Sequence, residues 1–165
     1  MKKIRNFSLI LIALLSFQGI EKGSLKADKK RKLQIPEPSD ICLKTDRSGY
    51  FVVSDDGFLF ETDSVGKVLR KSSFRGFDFE GVFQDTSGLW VMDERTRFLY
   101  RFNTETLLPV STVEIPYSGG RNKGFEAICR NPKNGRMIVI TEKDPIWIME
   151  LDAQQRIINR VRFNG

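Results

Sequence analysis

Three consecutive segments of this chain repeat one order of short strands and turns. The segments begin with apolar residues at Ile41, Val82 and Ile128, which are 41 and 46 residues apart. Within each segment, runs of apolar and β-branched residues are separated by turns rich in Asp, Asn and Gly, such as the turn at residues 55–57. Four short strands in each repeat of this length are typical of β-propeller blades. A sandwich has no reason to repeat its turn chemistry in phase, so the repeat favours blades.

The repeat therefore predicts an all-β fold, a partial β-propeller of three four-stranded antiparallel blades at residues 39–77, 78–120 and 121–165. A propeller closes on itself with four to eight blades, so three blades leave two open flanks. Either the sequence is a portion of a longer protein, or two copies self-associate to complete a six-bladed ring, or the flanks bind another molecule. We expect a truncated half of a six-bladed ring.

The N-terminus has the pattern of an export signal. Residues 1–6 are basic, and residues 7–20 form an apolar stretch that is too short for an ordinary membrane-spanning helix. We predict a signal peptide or an N-terminal membrane anchor, in helical form, at residues 1–27, followed by a basic linker at residues 28–38. The chain is accordingly expected to be exported to the periplasm or the cell membrane, with membrane association through its N-terminus.

The positive charge of the chain is concentrated before the repeats. The whole chain has 27 Lys and Arg residues and 21 Asp and Glu residues, and residues 1–32 hold nine of the basic and two of the acidic ones. The remainder thus carries 18 basic and 19 acidic side chains. A nucleic-acid-binding protein needs its cations on the folded body, where they meet phosphates. We therefore predict no nucleic-acid partner.

Cys42 and Cys129 stand at matching places in the first and third repeats. Matching positions two blades apart are expected to exceed the separation of about 7 Å between Cα atoms that a disulfide tolerates. Both are therefore predicted to be small core residues. Trp90, Phe98, Tyr100 and Trp147 are predicted to pack between blades.

Acidic residues recur at one end of the predicted blades. Glu80 and Glu126 precede the innermost strands, and the turns between the second and third strands contribute Asp93, Glu94 and Glu142, with Asp55 at the matching turn of the first blade. In a four-stranded meander these two places lie at the same end of the blade, so one rim of the propeller is expected to collect carboxylates. A hard cation relieves the repulsion between close carboxylates. We predict calcium at Glu80, Asp93, Glu94, Glu126 and Glu142.

Two further interpretations of the charged residues remain open. Acidic side chains beside tight turns often bond local backbone N–H groups, which we prefer for Asp55, Asp56, Asp63 and Asp152. The carboxylates at the rim could also be neutralised by basic neighbours rather than by a metal. We assign ligand-binding roles to Arg95, Asn122, Lys123 and Lys143.

Two pairs of motifs carry a family resemblance. They are residues 78–81 (DFEG) followed by residues 90–95 (WVMDER), and residues 122–127 (NKGFEA) followed by residues 141–145 (TEKDP). Together they resemble the SdiA-regulated domain family, which includes calcium-regulated β-propeller proteins of the bacterial cell envelope. The resemblance covers residues 35–165, about the first half of that domain. It departs from the family pattern at Ala127, where the family usually has Gly, and in the missing later blades.

The resemblance implies a binding or sensing module at the cell envelope. The phytase-like and esterase-like propellers share a related pattern more distantly, and they imply a calcium-dependent phosphoesterase as the alternative. No catalytic residue is assigned, because the chain contains no His and no recognisable nucleophile arrangement. The absence of His and the spacing of the two cysteines also argue against zinc. A protein-interaction scaffold without metal is the second alternative.

Overall fold

The computed structural model describes residues 30–117, 124–143 and 145–163. The predicted signal or anchor segment at residues 1–27 lies outside them, as do residues 118–123, which include Asn122 and Lys123. Among the described residues, no helix is long and apolar enough to span a membrane. By compactness the chain divides into residues 1–31 and residues 32–165, and the strands lie in the second unit.

The described residues form three four-stranded sheets. The first sheet contains β1 (Pro38–Leu43), β2 (Gly49–Ser54), β3 (Phe58–Asp63) and β4 (Val68–Lys71). The second contains β5 (Phe79–Asp85), β6 (Gly88–Asp93), β7 (Phe98–Phe102) and β8 (Pro109–Glu114). The third contains β9 (Phe125–Arg130), β10 (Met137–Thr141), β11 (Trp147–Leu151) and β12 (Ile157–Arg162).

Each sheet is an antiparallel meander in which every strand pairs with its neighbours in sequence. The prediction of an all-β fold with three four-stranded antiparallel blades is confirmed. We call the sheets blade one, blade two and blade three in chain order. Strand β5 packs against both β1 and β9, so the first strands of successive blades are neighbours.

Two apolar layers join the blades. The layer between blades one and two is aromatic at its centre, with Phe74, Phe79, Tyr100 and Phe102 in ring contact and Phe98 packed at its edge. The layer between blades two and three is built from both blades, and it includes Trp90, Met92, Phe125, Ile128 and Met149, with Trp147 packed against it. The predicted positions of Trp90, Phe98, Tyr100 and Trp147 between blades are therefore confirmed.

Gly81 lies at a contact between β5 and β9 where an added Cβ would be tight. A Cβ added at Gly81 would lie 3.0 Å from Cγ2 of Ile128 and 3.3 Å from its backbone nitrogen. A side chain at this position would require Ile128 to move by a few tenths of an ångström. Gly81 therefore allows β5 of blade two to pack closely against β9 of blade three.

The outer faces of the first and third blades differ. Leu33 and Ile35 pack against Val52 and Phe60 on the outer face of blade one, and Ile35 is only 5% exposed. Apolar side chains before β1 therefore cover part of that face, whereas Ile41 and Leu43 of β1, on the same face, are 51% and 49% exposed, so the expected open flank at blade one is only partly closed. On blade three, Val161 is exposed.

The two cysteines are both free. Cys42 is partly buried against the layer between blades one and two, as predicted. Cys129 is exposed, so its predicted core position is wrong. The alternation of side chains along β9 places Ile128 in the inter-blade layer and its neighbour Cys129 on the opposite face.

Phe79→Ala tests the layer between blades one and two. Phe79 is fully buried among aromatic rings, so its truncation is expected to lower the free energy of unfolding by about 3–5 kcal/mol in urea denaturation. The matched control is Phe77→Ala, because Phe77 is 63% exposed and its loss is expected to cost less than about 0.5 kcal/mol. Equal losses in the two variants would contradict this packing.

Candidate metal centre

A β-bulge occurs at the same place in the first strand of every blade. In blade one, Pro38 pairs with Ser54 and Asp40 with Val53, which leaves Ser39 at the bulge. The register shifts in blades two and three leave Glu80 and Glu126 at the corresponding positions. A bulge re-aims the side chain of its extra residue. The two glutamates thus occupy a repeated, irregular position rather than a place in the regular strand.

A backbone hydrogen bond fixes a second acidic position next to each bulge. The amide of the first turn residue after the second strand donates to the carbonyl two residues before the bulge. These N···O distances are 3.0 Å from Asp55 to Glu37, 2.8 Å from Glu94 to Asp78 and 3.2 Å from Glu142 to Gly124. The bulge position and the turn position are therefore held together in all three blades.

Five carboxylates of blades two and three converge through this arrangement. One group contains Asp78, Glu80 and Glu94, and a second contains Glu94, Glu126 and Glu142. In each group, one oxygen from every residue lies within 4.8 Å of the others. Glu94 belongs to both groups. We call these five residues the carboxylate rim.

Glu94 holds the two blades in register at the rim. It is 7% exposed, and its Oε1 accepts a hydrogen bond of 3.0 Å from the backbone N–H of Gly124 at the start of blade three. A Cβ at Gly124 would lie 2.5 Å from the backbone oxygen of Glu94, so this approach needs glycine. Glu94 therefore joins the two blades and also contributes an oxygen to both groups of the rim.

Burial and mutual repulsion make the rim a poor place for several negative charges. Burial, followed by the charges of Asp55, Glu126, Asp78 and Glu94, raises the pKa of Glu80 to about 8. Burial, followed by Glu94 and Glu142, raises the pKa of Glu126 to about 7. The pKa values of Glu94 and Asp78 are also raised, mainly by burial. At neutral pH the rim therefore retains protons that isolated glutamates would have lost.

Few cations balance these charges among the described residues. The Lys143 ammonium is exposed and bonds the carboxylate of Glu142. Arg95 lies 3.8 Å from Asp78, and its side chain is 54% exposed. Exposed pairs of this kind contribute little. Arg95 and Lys143, two of the three basic residues that the sequence assigned to ligand binding, thus stand at the edge of the carboxylate rim, while Asn122 and Lys123 lie outside the described residues.

Asp93 occupies a different kind of position from its neighbour Glu94. It is fully buried, its Oδ2 accepts from the N–H of Phe77 at 2.8 Å, and its Oδ1 accepts from the N–H of Thr96 at 3.0 Å. Thr141 stands at the matching place in blade three, and its hydroxyl accepts from the backbone N–H of Trp147, the first residue of β11, at 2.8 Å. The structure thus gives Asp93 a turn-anchoring contact and places it outside the two oxygen groups of the rim.

Asp78 joins the rim although sequence reasoning did not assign it. It lies two residues before Glu80 in the DFEG motif, and its carbonyl accepts the hydrogen bond from Glu94. That motif was the signal that could have revealed it. Asp63 and Asp152, in contrast, accept from local backbone amides of their own turns, as predicted.

The carboxylate rim has the chemistry of a hard-cation site. Calcium binds oxygen ligands at about 2.3–2.6 Å, so two oxygens on one ion are at most about 5 Å apart. The oxygens of each rim group satisfy that condition. Zinc sites are built mainly from Cys and His, and the chain has no His.

The fold and this rim together define a partial β-propeller with an acidic end. Comparison with protein families then gives a match to the SdiA-regulated family over residues 25–162. The chain belongs to that family. No match is found among curated proteins.

Solved structures with a similar fold are β-propellers. The β-propeller domain of Cps50 (Swd1) from Myceliophteria thermophila superposes with a TM-score of 0.51 and 11% identity, covering 81% of this chain and 40% of that one. The WD40 β-propeller domain of Doa1 gives a TM-score of 0.52 and 15% identity, covering 72% of this chain and 38% of that one. This chain thus spans about two fifths of each, and the likeness concerns the fold.

The pKa shifts predict how stability depends on pH when no divalent cation is present. The pKa values of Glu80 and Glu126 in the folded protein lie above the ordinary value of 4.5. The contribution of these two carboxyl groups to the free energy of unfolding is therefore complete below pH 4.5 and is lost as the pH rises to about 8. In EGTA, the free energy of unfolding is expected to fall across this range less steeply in Glu80→Gln than in the parent protein.

The control for this pH series is Glu105→Gln, which changes an exposed glutamate in the β7–β8 turn at the opposite end of blade two. Urea denaturation of this variant should follow the pH profile of the parent protein. Parallel profiles for the parent and Glu80→Gln would show that the rim carboxyls do not have raised pKa values.

Proposed function

We propose that this protein is an exported β-propeller module that binds calcium at its carboxylate rim and has a binding or sensing role at the bacterial cell envelope. The convergence of five carboxylates in two oxygen groups that share Glu94 carries the calcium part of this proposal. The export pattern of residues 1–27 supports the location. Membership of the SdiA-regulated family supports the propeller module as the functional unit.

Calcium would act by replacing protons and neighbouring cations as the counter-charge of the rim. Asp78, Glu80 and Glu94 would hold an ion at one group, and Glu94, Glu126 and Glu142 at the other. Glu94 belongs to blade two and Glu126 and Glu142 to blade three, so a cation at the second group would join the blades at the end where their carboxylates repel. Binding is therefore expected to stabilise the contact between these blades, which gives a sensing role a physical basis.

Calcium is expected to raise the thermal unfolding midpoint, and EGTA to reverse the effect. Glu94→Gln should weaken calcium binding at least about tenfold, since changes even in the outer shell of a metal site cost about 10–100-fold. The side-chain oxygen of glutamine can still accept the hydrogen bond from the backbone N–H of Gly124, so this contact between blades two and three is retained. Glu105→Gln is the matched control and should bind as the parent does.

Isothermal titration calorimetry gives the affinities of the two variants. Equal affinities for the parent and Glu94→Gln, or no calcium binding, would contradict the proposal.

A phosphomonoester assay on the calcium-loaded parent protein separates the binding module from an enzyme. Turnover that is lost in Glu80→Gln would favour the phosphoesterase alternative.

The affinity for calcium should also rise with pH. A proton must leave Glu80, with its pKa of about 8, and Glu126, with its pKa of about 7, before both can ligate as carboxylates. Calorimetry in buffers of different ionisation enthalpy is expected to detect proton release at pH 6.5 and much less at pH 9. A calcium affinity that is the same at pH 6.5 and at pH 9 would argue against calcium ligation by glutamates that must first lose a proton.

A further inference from the structure

A second cleft lies between blades two and three at the other end of their strands. The carboxylate rim is formed at the β6–β7 and β10–β11 turns, whereas this cleft is bordered by the β5–β6, β9–β10 and β11–β12 turns. Its volume is about 770 Å³. Trp90 and Arg101 of blade two form one wall, and Arg130 and Met137 of blade three form the other. We call it the arginine cleft.

Four arginines line the arginine cleft, and three of them have a carboxylate partner. Arg130 pairs with Asp85, Arg136 with Glu150 at 3.1 Å, and Arg156 with Asp152 at 2.7 Å. Arg101 is the exception, because its guanidinium has no hydrogen-bond or ion-pair partner among the residues that the structure describes. The cleft therefore contains one guanidinium whose five N–H donors are available.

The equivalent cleft between blades one and two shows how such a position is satisfied within the chain. Phe51 pairs with Glu61 there in the register in which Trp90 pairs with Arg101 in blade two. Glu61 is 5% exposed, and it accepts from Lys44 at 2.7 Å and also pairs with Arg70. That cleft has a volume of only about 390 Å³.

Arg70 closes the first cleft from blade one to blade two. Its Nη2 donates to the carbonyl of Thr104 at 2.9 Å, and its Nη1 donates to the carbonyl of Glu105. The first cleft is thus filled by its own charges. In the arginine cleft the charge at the matching position is reversed, the space is about twice as large, and the counter-charge to Arg101 is missing from the described residues.

We propose that the arginine cleft binds a small ligand through a phosphate monoester group. A phosphate dianion has three oxygens that can accept hydrogen bonds from guanidinium groups on both walls of the cleft. A single carboxylate has only two oxygens and is therefore less suited to bridge the walls. The volume of the cleft is within the range of small-molecule sites, about 300–1,000 Å³. The aliphatic part of Arg101 packs near Gly88, where an added Cβ would lie 3.1 Å from its Cγ, and this supports the guanidinium at the cleft wall.

The binding experiment uses inorganic phosphate and glucose 6-phosphate in turn, at constant ionic strength set with chloride and in EGTA. The EGTA removes calcium from the carboxylate rim, so the result does not depend on the proposed function of that site. Calorimetry is expected to show saturable binding of glucose 6-phosphate. Arg101→Glu should weaken this binding at least about tenfold, since it removes the charged hydrogen bonds and places a negative side chain beside the negatively charged phosphate.

Arg162→Gln is the matched control, because Arg162 is an exposed arginine on blade three outside the cleft. Arg101→Lys keeps the charge but loses the planar fork of donors, and it should bind more weakly than the parent and more tightly than Arg101→Glu. Urea denaturation verifies that the Arg101 variants fold. Because Arg101 is exposed, their urea midpoints should remain close to that of the parent.

Saturable binding that is lost in Arg101→Glu and kept in Arg162→Gln would support the proposal. The absence of saturable phosphate binding, or equal affinities in the parent and Arg101→Glu, would overturn it. Co-sedimentation with vesicles containing phosphatidic acid identifies the source of the phosphate group. Vesicle binding that depends on Arg101 would indicate a lipid headgroup, and binding of glucose 6-phosphate without vesicle binding would indicate a free phosphate ester.

Discussion

The repeated backbone hydrogen bond between the bulge segment and the second turn is the constraint on which the acidic end of this protein depends. In every blade it ties the residue two before the bulge to the first residue of the turn. The bulge and the turn therefore approach each other whatever side chains they carry. Blades two and three carry glutamates at both positions, whereas blade one carries Ser39 and Asp55. Repetition of one backbone device thus concentrates charge where blades two and three meet.

That concentration is opposed by electrostatics and supported by packing. The inter-blade layers are apolar and extensive, so they hold the strands in place although the carboxyls above them repel. Gly81 and Gly124 let the two blades approach closely at the same end. The consequence is a set of carboxyls that keep protons at neutral pH and would exchange them for a hard cation.

The repeat made much of the fold predictable from sequence. Strand periodicity and turn residues recur in phase, so each blade supports the prediction for the others, and the three meanders follow. The same phase predicts that Glu80, Glu94, Glu126 and Glu142 lie at one end. The sequence alone could not distinguish the role of Asp93 from that of Glu94, because adjacent acidic residues in a turn differ only in the groups that their carboxylate oxygens contact. At the matching positions, the Thr141 hydroxyl accepts from the backbone N–H of Trp147, whereas the buried Ser54 hydroxyl has no hydrogen-bond partner among the described residues.

Other features depend on contacts that no repeat encodes. The partial covering of blade one by Leu33 and Ile35 arises from residues before the first repeat, where the surrounding basic residues indicate a linker. The unpaired guanidinium of Arg101 becomes evident only when its described neighbours and the matching position of Glu61 are seen together.

The most direct test of the central claim is a crystal structure of the protein grown at pH 8.5 in calcium, with anomalous data to identify the ion. We predict a calcium ion at the carboxylate rim, ligated by Glu94 together with Asp78 and Glu80 or with Glu126 and Glu142. A rim without an ion at saturating calcium, or glutamates that point away from one another, would contradict the claim.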